Sequence, residues 1–142
     1  MVYKFCCYLD NIMNVNYAND FLDLVALGMV ADMMDLRDFE TKHLISLGMK
    51  KVSNAFFKSM AIKNEYSIGG EMTPFAIGWY IAPYINAITR SGTIEEKTIL
   101  FEAMLDYKSY ELVPSTKRGH KAGEMETRVE QACRNCTNVK NR

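Results

Sequence analysis

Three groups of residues in this chain have the types and spacing for chemistry. The first is acidic. In the stretch from Asp20 to Arg37, DFLDLVALGMVADMMDLR, the residues Phe21, Leu24, Val25, Gly28 and Met29 recur at helical spacing, and Asp32 continues the same row. A carboxylate at the end of an apolar row is costly unless something compensates for it. A helix cap, a nearby cation or a metal ion would each do so. Asp35 and Asp38 follow, but neighbouring acids on one segment do not make a metal site. Hard cations such as Mg²⁺ or Mn²⁺ take several oxygen or imidazole ligands that converge from different segments. Only two histidines are available: His43 lies on an apolar row, where a hydrogen-bonded core histidine is expected, and His120 is far along the chain.

The second group is Asn86 and Arg90, four residues apart and so on one helical face. An amide and a guanidinium placed this way suit a phosphate or carboxylate oxygen. Arg90 could equally serve the last carbonyls of its own helix. The third group is Lys117-Arg118-Gly119-His120-Lys121, preceded by Ser115-Thr116. Here the backbone can approach a phosphate at the glycine, and the hydroxyls can donate to it. The plainer alternative is a solvated basic loop. There is no Walker-type loop, no G-x-S-x-G and no H-E-x-x-H.

Composition limits what these groups can do together. The formal net charge is zero over 142 residues, so nucleic-acid contact must come from a local patch and not from the whole molecule. Hydrophobic residues make up 49% of the chain, which excludes disorder and suits one folded core. The four cysteines stand as Cys6-Cys7 and Cys133-x-x-Cys136, half a zinc site at best, and are expected to be reduced thiols of a cytoplasmic protein. The opening MVYKFCCYLD lacks a signal-peptide pattern, and no apolar run reaches the roughly 18 residues of a membrane span. No membrane partner is expected.

The elements that must position these groups are helical almost throughout. Helices are expected over 2–13, 20–33, 37–52, 54–64 and 94–106, and from Glu124 to about Val139. Met1 opens directly onto the first of them without a cap. Asp20 is the expected cap of the helix that carries Asp32, and Asp35 or Asp38 that of the next, where Phe39, His43, Leu44 and Leu47 point inward. Tyr66 to Met72 reads as a loop. Thr73-Pro74 is a helix start, and Pro83 breaks that helix near Ala82. Thr93 to Glu96 is a capping box. Leu112 to Ala122 reads as an exposed loop, and no alternating strand is evident. The last helix carries Cys133 and Cys136 on its apolar seam, which favours packing over metal binding. The chain reads as mainly α.

Two stretches carry more than pattern. Asp23-Leu-Val-Ala-Leu-Gly-Met-Val-Ala-Asp32 resembles the last aspartate motif of the DHH phosphoesterases, in the RecJ-type single-strand DNA exonuclease branch, with Met29 where the family has Thr. Ile81-Ala-Pro-Tyr-Ile-Asn-Ala87, with Arg90 and Gly92, is similar to the family's P-R-I-N-A-x-x-R-x-G element, with Tyr84 in place of Arg. The resemblance implies that 1–110 is the helical C-terminal part of an α/β DHH domain. The basic loop and the start of an interdomain connector helix would follow over 111–142.

The resemblance further implies a metal-dependent 5′→3′ exonuclease acting on single-stranded DNA. Asp32 would be the catalytic residue, one ligand of a Mn²⁺ or Mg²⁺ pair that positions a water for in-line attack. Asn86 and Arg90 would lie near the strand, and Lys117, Arg118 and Lys121 would track its backbone. The family's Asp-x-Asp, further aspartate and Asp-His-His cannot be matched here. They are expected upstream of Met1, and a second domain beyond Arg142, so that the chain's partners include those parts of the same enzyme. Alone it is expected to be inactive. The alternative is a non-catalytic helical fragment that binds DNA or protein.

Overall fold

The computed structural model describes residues 2–142. The expectation that Met1 opens directly onto a helix lies outside them. The chain is mainly α, as its periodicity predicts, and five of its helices start behind a side-chain cap.

Helix α1 (Val2–Met13) stops where Asn14 takes a left-handed conformation, φ 52°, which asparagine tolerates better than most residues. A 3-10 turn (Ala18–Phe21) leads into α2 (Leu22–Ala31). Asp20 falls within that turn and does not cap α2, whose N-terminus has no side-chain cap. The turn ahead of α2 already supplies helical geometry there, so no capping acid is needed. Helix α2 ends in a Schellman arrangement: Met34 N–H donates to the Met29 carbonyl at 3.0 Å and Met33 N–H to that of Val30 at 3.0 Å. Met33 carries the left-handed turn at φ 52°, a conformation that costs a non-glycine residue about 1 kcal/mol.

Asp38 caps α3 (Phe39–Lys50) by accepting from Thr41 N–H at 2.8 Å. Asn54 caps α4 (Ala55–Lys63), its Oδ1 accepting from the amides of Phe56 and Phe57. The stretch expected as a loop after α4 begins with a single turn, α5 (Glu65–Ile68), closed by Gly69 at φ 72°. Thr73 caps α6 (Pro74–Tyr80), and the chain breaks at Ile81 before α7 (Ala82–Ser91), as Pro83 requires. The Thr93–Glu96 capping box opens α8 (Ile94–Met104), and α9 (Asp106–Ser109) is one turn.

The end of the chain corrects the sequence reading. Strands β1 (Leu112–Pro114) and β2 (Met125–Thr127) pair antiparallel, Val113 opposite Glu126, so the basic segment is the tip of a hairpin. Helix α10 (Arg128–Lys140) starts four residues later than expected, behind a second capping box formed by Thr127 and Glu130. Three-residue strands are too short to show alternation.

The core lies on the C-terminal side. Helix α10 packs on α4, α7 and α8, and Phe56, Phe57, Met60, Ile77 and Ile88 are completely buried there. Full burial of one such side chain contributes roughly 1.5–3 kcal/mol. Cys133 and Cys136 sit in this core as free thiols. Burial pushes Cys133 up to about 11 and Cys136 up to about 12, so both stay protonated and pack as small apolar groups.

Helix α1 is different: it buries no residue. Its ties include the Lys4–Glu40 ion pair at 2.7 Å and the Tyr3 hydroxyl donating to Asn19 Oδ1 at 2.8 Å, both at the surface. Among the described residues no helix is long and apolar enough to cross a membrane.

Candidate functional site

Helix α2 is apolar all round apart from its acids, so it needs cover on more than one side. One face, with Asp23, Ala26 and Leu27, is buried. Helix α3 lies against it so closely that a Cβ on Gly48 would stand 2.1 Å from the Leu22 carbonyl oxygen. The other face is the row that ends at Asp32. Leu24, Val25, Gly28, Met29 and Asp32 line a cleft of about 430 Å³ between α2 and α1.

Asp32 is exposed and ends α2. Its backbone N–H donates to the Gly28 carbonyl at 2.9 Å. Among the described residues its carboxylate has neither a hydrogen-bond donor nor a cation. A negative charge at a helix C-terminus also opposes the helix dipole. Asp32 is thus the C-terminal cap residue of α2, and water meets the cost that its carboxylate would carry if buried.

The other acids nearby are committed. Arg37 holds Asp35 through Nε at 3.0 Å and Nη2 at 2.9 Å, and its guanidinium draws the Asp35 carboxyl below the usual range. The Thr41 amide does the same to Asp38. His43 corrects the sequence reading. It is exposed, stacked on Phe39 at 6.2 Å between ring centroids with the planes 4° apart. The buried row of α3 is instead Thr41, Leu44, Ile45 and Gly48, because α3 meets α2 through its glycine. Among the described residues no group of three or more His, Cys, Asp or Glu could hold a metal ion. One uncommitted carboxylate does not fit a two-metal pair, so no step of a metal-assisted reaction can be built from these residues.

A carboxylate missed by the sequence reading lies at the other end of α2. Asp23 is 3% exposed. Its Oδ2 accepts from the amides of Ser53 and Asn54, each at 2.7 Å, and from the Ser53 hydroxyl at 3.2 Å. Asn54 in turn donates to the Met104 carbonyl at 2.9 Å. This relay ties α2 to the α3–α4 junction and to the end of α8. Its signal in the sequence was the spacing of Asp23 with Ala26, Leu27 and Val30, a second apolar row on the same helix.

Asn86 opens onto a second cleft, of about 670 Å³, on the far side of the α2 terminus. Val30, Met33, Met34, Phe75, Trp79 and Pro83 are among its walls, and Met34 lines both clefts. Arg90 lies one turn beyond Asn86, exposed and without a carboxylate partner among the described residues. At Tyr84 the face of the ring carries the Lys140 ammonium, 3.9 Å from the centroid.

The basic hairpin tip is built separately, on α10. Its anchor is Glu126, whose side chain is fully buried. Glu126 pairs with the Arg134 guanidinium through two contacts and accepts from Thr116 N–H at 3.0 Å. Arg134 is the main reason the Glu126 carboxyl lies below the usual range. Lys117 stands 3.9 Å from the same carboxylate, so part of its charge is answered inside the protein. Arg118 and Lys121 are exposed without ion pairs among the described residues. The tip turns through Gly119 at φ 80°. The structure thus brings Asp32 and Asn86 to adjacent clefts, while Lys117, Arg118 and Lys121 line neither.

What this geometry defines by itself is a helical body with two open clefts and a basic hairpin, without a metal-holding cluster among the described residues. Comparison with known proteins adds the particular likeness. No family model matches the chain, and no solved structure matches it. The chain is 38% identical over 140 residues to a protein of Bacillus subtilis (strain 168) named "Putative SPbeta prophage-derived single-strand DNA-specific exonuclease YorK". It is equally similar to its counterpart in Bacillus phage SPbeta, named "Putative single-strand DNA-specific exonuclease yorK". The matches cover 99% of this chain and 24% of each relative, so the chain spans about a quarter of the length of the curated relatives it matches.

Proposed function

We propose that this chain supplies part of the catalytic body of a RecJ-like, metal-dependent 5′→3′ single-strand DNA exonuclease of the DHH class. The observation that carries the reading is the 38% identity across 99% of the chain to proteins named as single-strand DNA-specific exonucleases. The uncommitted Asp32 supports it. A carboxylate exposed at the wrong end of a helix dipole is accounted for if it serves as one ligand of a Mn²⁺ or Mg²⁺ pair. The remaining ligands would come from polypeptide outside the described residues. Asn86, Arg90, Lys117, Arg118 and Lys121 would contact the strand. By itself the chain binds single-stranded DNA without cutting it.

The test uses the full chain with a 5′-phosphorylated, end-labelled single strand in Mn²⁺. Binding should weaken with added salt, and the label should remain intact. Changing Lys117, Arg118 and Lys121 to alanine should reduce the steepness of the salt dependence by about 2, since each phosphate contact contributes about 0.7 on single strands. Binding that ignores salt, or no binding, overturns the reading. Degradation that is lost on Asp32→Ala would keep the exonuclease assignment and refute the inactivity of the chain alone. A second reading, a DNA-binding module without catalysis, is favoured by the lack of a metal-holding cluster among the described residues.

A further inference from the structure

The second cleft has a feature that the exonuclease reading leaves unused. Its mouth is aromatic and exposed: Trp79 is 66% exposed and Phe75 62%. Their ring centroids are 5.8 Å apart with planes 35° from each other, and Tyr80 meets Phe75 edge-on at 6.3 Å, which fixes the shelf. Large rings are not left in water without cost, and most of each remains open to solvent. The side-chain polar groups among the walls are the Asn86 amide and the Trp79 indole N–H. The Asn86 side chain makes no hydrogen bond among the described residues; its backbone carbonyl, within α7, also accepts from the Thr89 hydroxyl at 3.2 Å.

Charge separates this cleft from its neighbour. No acid lines it, and Arg90 stands one turn beyond Asn86 on the same helical row. The cleft between α1 and α2 ends instead in the Asp32 carboxylate, which repels a phosphate. A pair of tilted, exposed rings, a neutral amide free to donate and accept, and a cation just beyond suit an unstacked nucleobase and its phosphate.

We propose that the cleft between the end of α2 and the α6–α7 break seats one unpaired base of a single strand. Trp79 and Phe75 form the stacking shelf, Asn86 meets the base edge, and Arg90 meets the adjoining phosphate. The proposal rests on the single-strand reading above and adds the place where the strand is held by its bases. The shelf lies apart from the hairpin tip, so the strand has two distinct points of attachment: one salt-sensitive, one dominated by stacking.

Trp79 is the only tryptophan of the chain, so its emission reports on the seat alone. Oligothymidylate is titrated into the full chain while both Trp79 fluorescence and the anisotropy of a label on the DNA are followed. Saturable quenching with the same midpoint as the anisotropy change is expected. Trp79→Phe should keep binding within about threefold, and Trp79→Ala should weaken it about tenfold, the usual scale for losing one stacked base. Because the ring is exposed, the helical circular dichroism of both variants should match the parent. A normal anisotropy curve with unchanged Trp79 emission would overturn the seat and leave the single-strand reading standing. Absence of binding by both readouts would overturn both. A concentration-dependent blue shift without DNA, with a dimer in sedimentation, would give the cleft to a second copy and overturn the proposal.

Discussion

The two ends of α2 carry the same chemical group in opposite situations. At the start, Asp23 is buried and accepts from three donors on the α3–α4 junction. At the finish, Asp32 is exposed, follows the last turn and has no partner among the described residues. The first acid is structural: it answers two amides at the start of α4, of which that of Asn54 would otherwise be buried without an acceptor. The second does nothing for the fold. The lesson concerns position along the helix axis. An acid near a helix N-terminus, against another helix start, is compensated by amides from both. An acid at the C-terminus meets carbonyls and must find its partner elsewhere.

That contrast can be broken by substitution, and the largest effect should come from Asp23→Ala. It leaves the Ser53 and Asn54 amides without acceptors and should lower stability by about 3–4 kcal/mol, measured as the shift in a urea midpoint at constant slope. A loss below about 1 kcal/mol would show that water replaces the carboxylate and that the end is not sealed. Gly48→Ala should cost about 3 kcal/mol, because its Cβ must displace the Leu22 carbonyl and part α3 from α2. Normal stability there would mean that the two helices slide freely.

A buried acid elsewhere provides a control for the comparison. Arg134→Ala should cost about 3 kcal/mol by stranding the Glu126 carboxylate in the protein. The associated pH dependence has a definite sign. The folded pKa of Glu126 lies below its ordinary 4.5, so the stability it contributes is fully present above that value. It is lost as pH falls through the lower folded value, and the hairpin amides should then lose exchange protection.

The smaller effects concern the open end. Met33→Gly should raise stability by about 0.5–1 kcal/mol in thermal melts, by relieving the left-handed residue that follows Asp32. Asp32→Ala should change stability by less than about 0.5 kcal/mol. A destabilisation of 2 kcal/mol or more would reveal a structural partner and end the contrast with Asp23.

How much of this was legible in the sequence varies from residue to residue. The Thr73-Pro74 start, the break before Pro83, the Thr93–Glu96 box and the Asp38 and Asn54 starts are local chemistry, decided within about four residues. They could be read directly. Periodicity found the row ending at Asp32 but not what faces it. On a helix apolar on both sides, spacing cannot say which row meets the core. The more conspicuous row proved to line the open cleft, and the less conspicuous one holds the buried Asp23. His43 was misplaced for the same reason, since the row of α3 that packs is the one with the small Gly48 and not the one with the larger rings.

The basic tip was visible as charge, but its shape was not. Its strands are three residues long, and the residue that fixes them, Glu126, looks in sequence like one more solvated acid in Glu124-Met-Glu126. Only Arg134, two helical turns into α10, makes its burial possible.

By itself, then, the sequence determined a helical chain, its capping signals and an acid at the end of an apolar row, whose compensation it left open between cap, cation and metal. Tertiary structure decided which of two acids on α2 is buried, which cleft is aromatic and which acidic, and that the basic segment is a hairpin. The physical reason is one of range. Caps and breaks are settled by backbone groups a few residues apart, whereas burial and compensation depend on groups brought together from 30 positions away, as Ser53 is to Asp23.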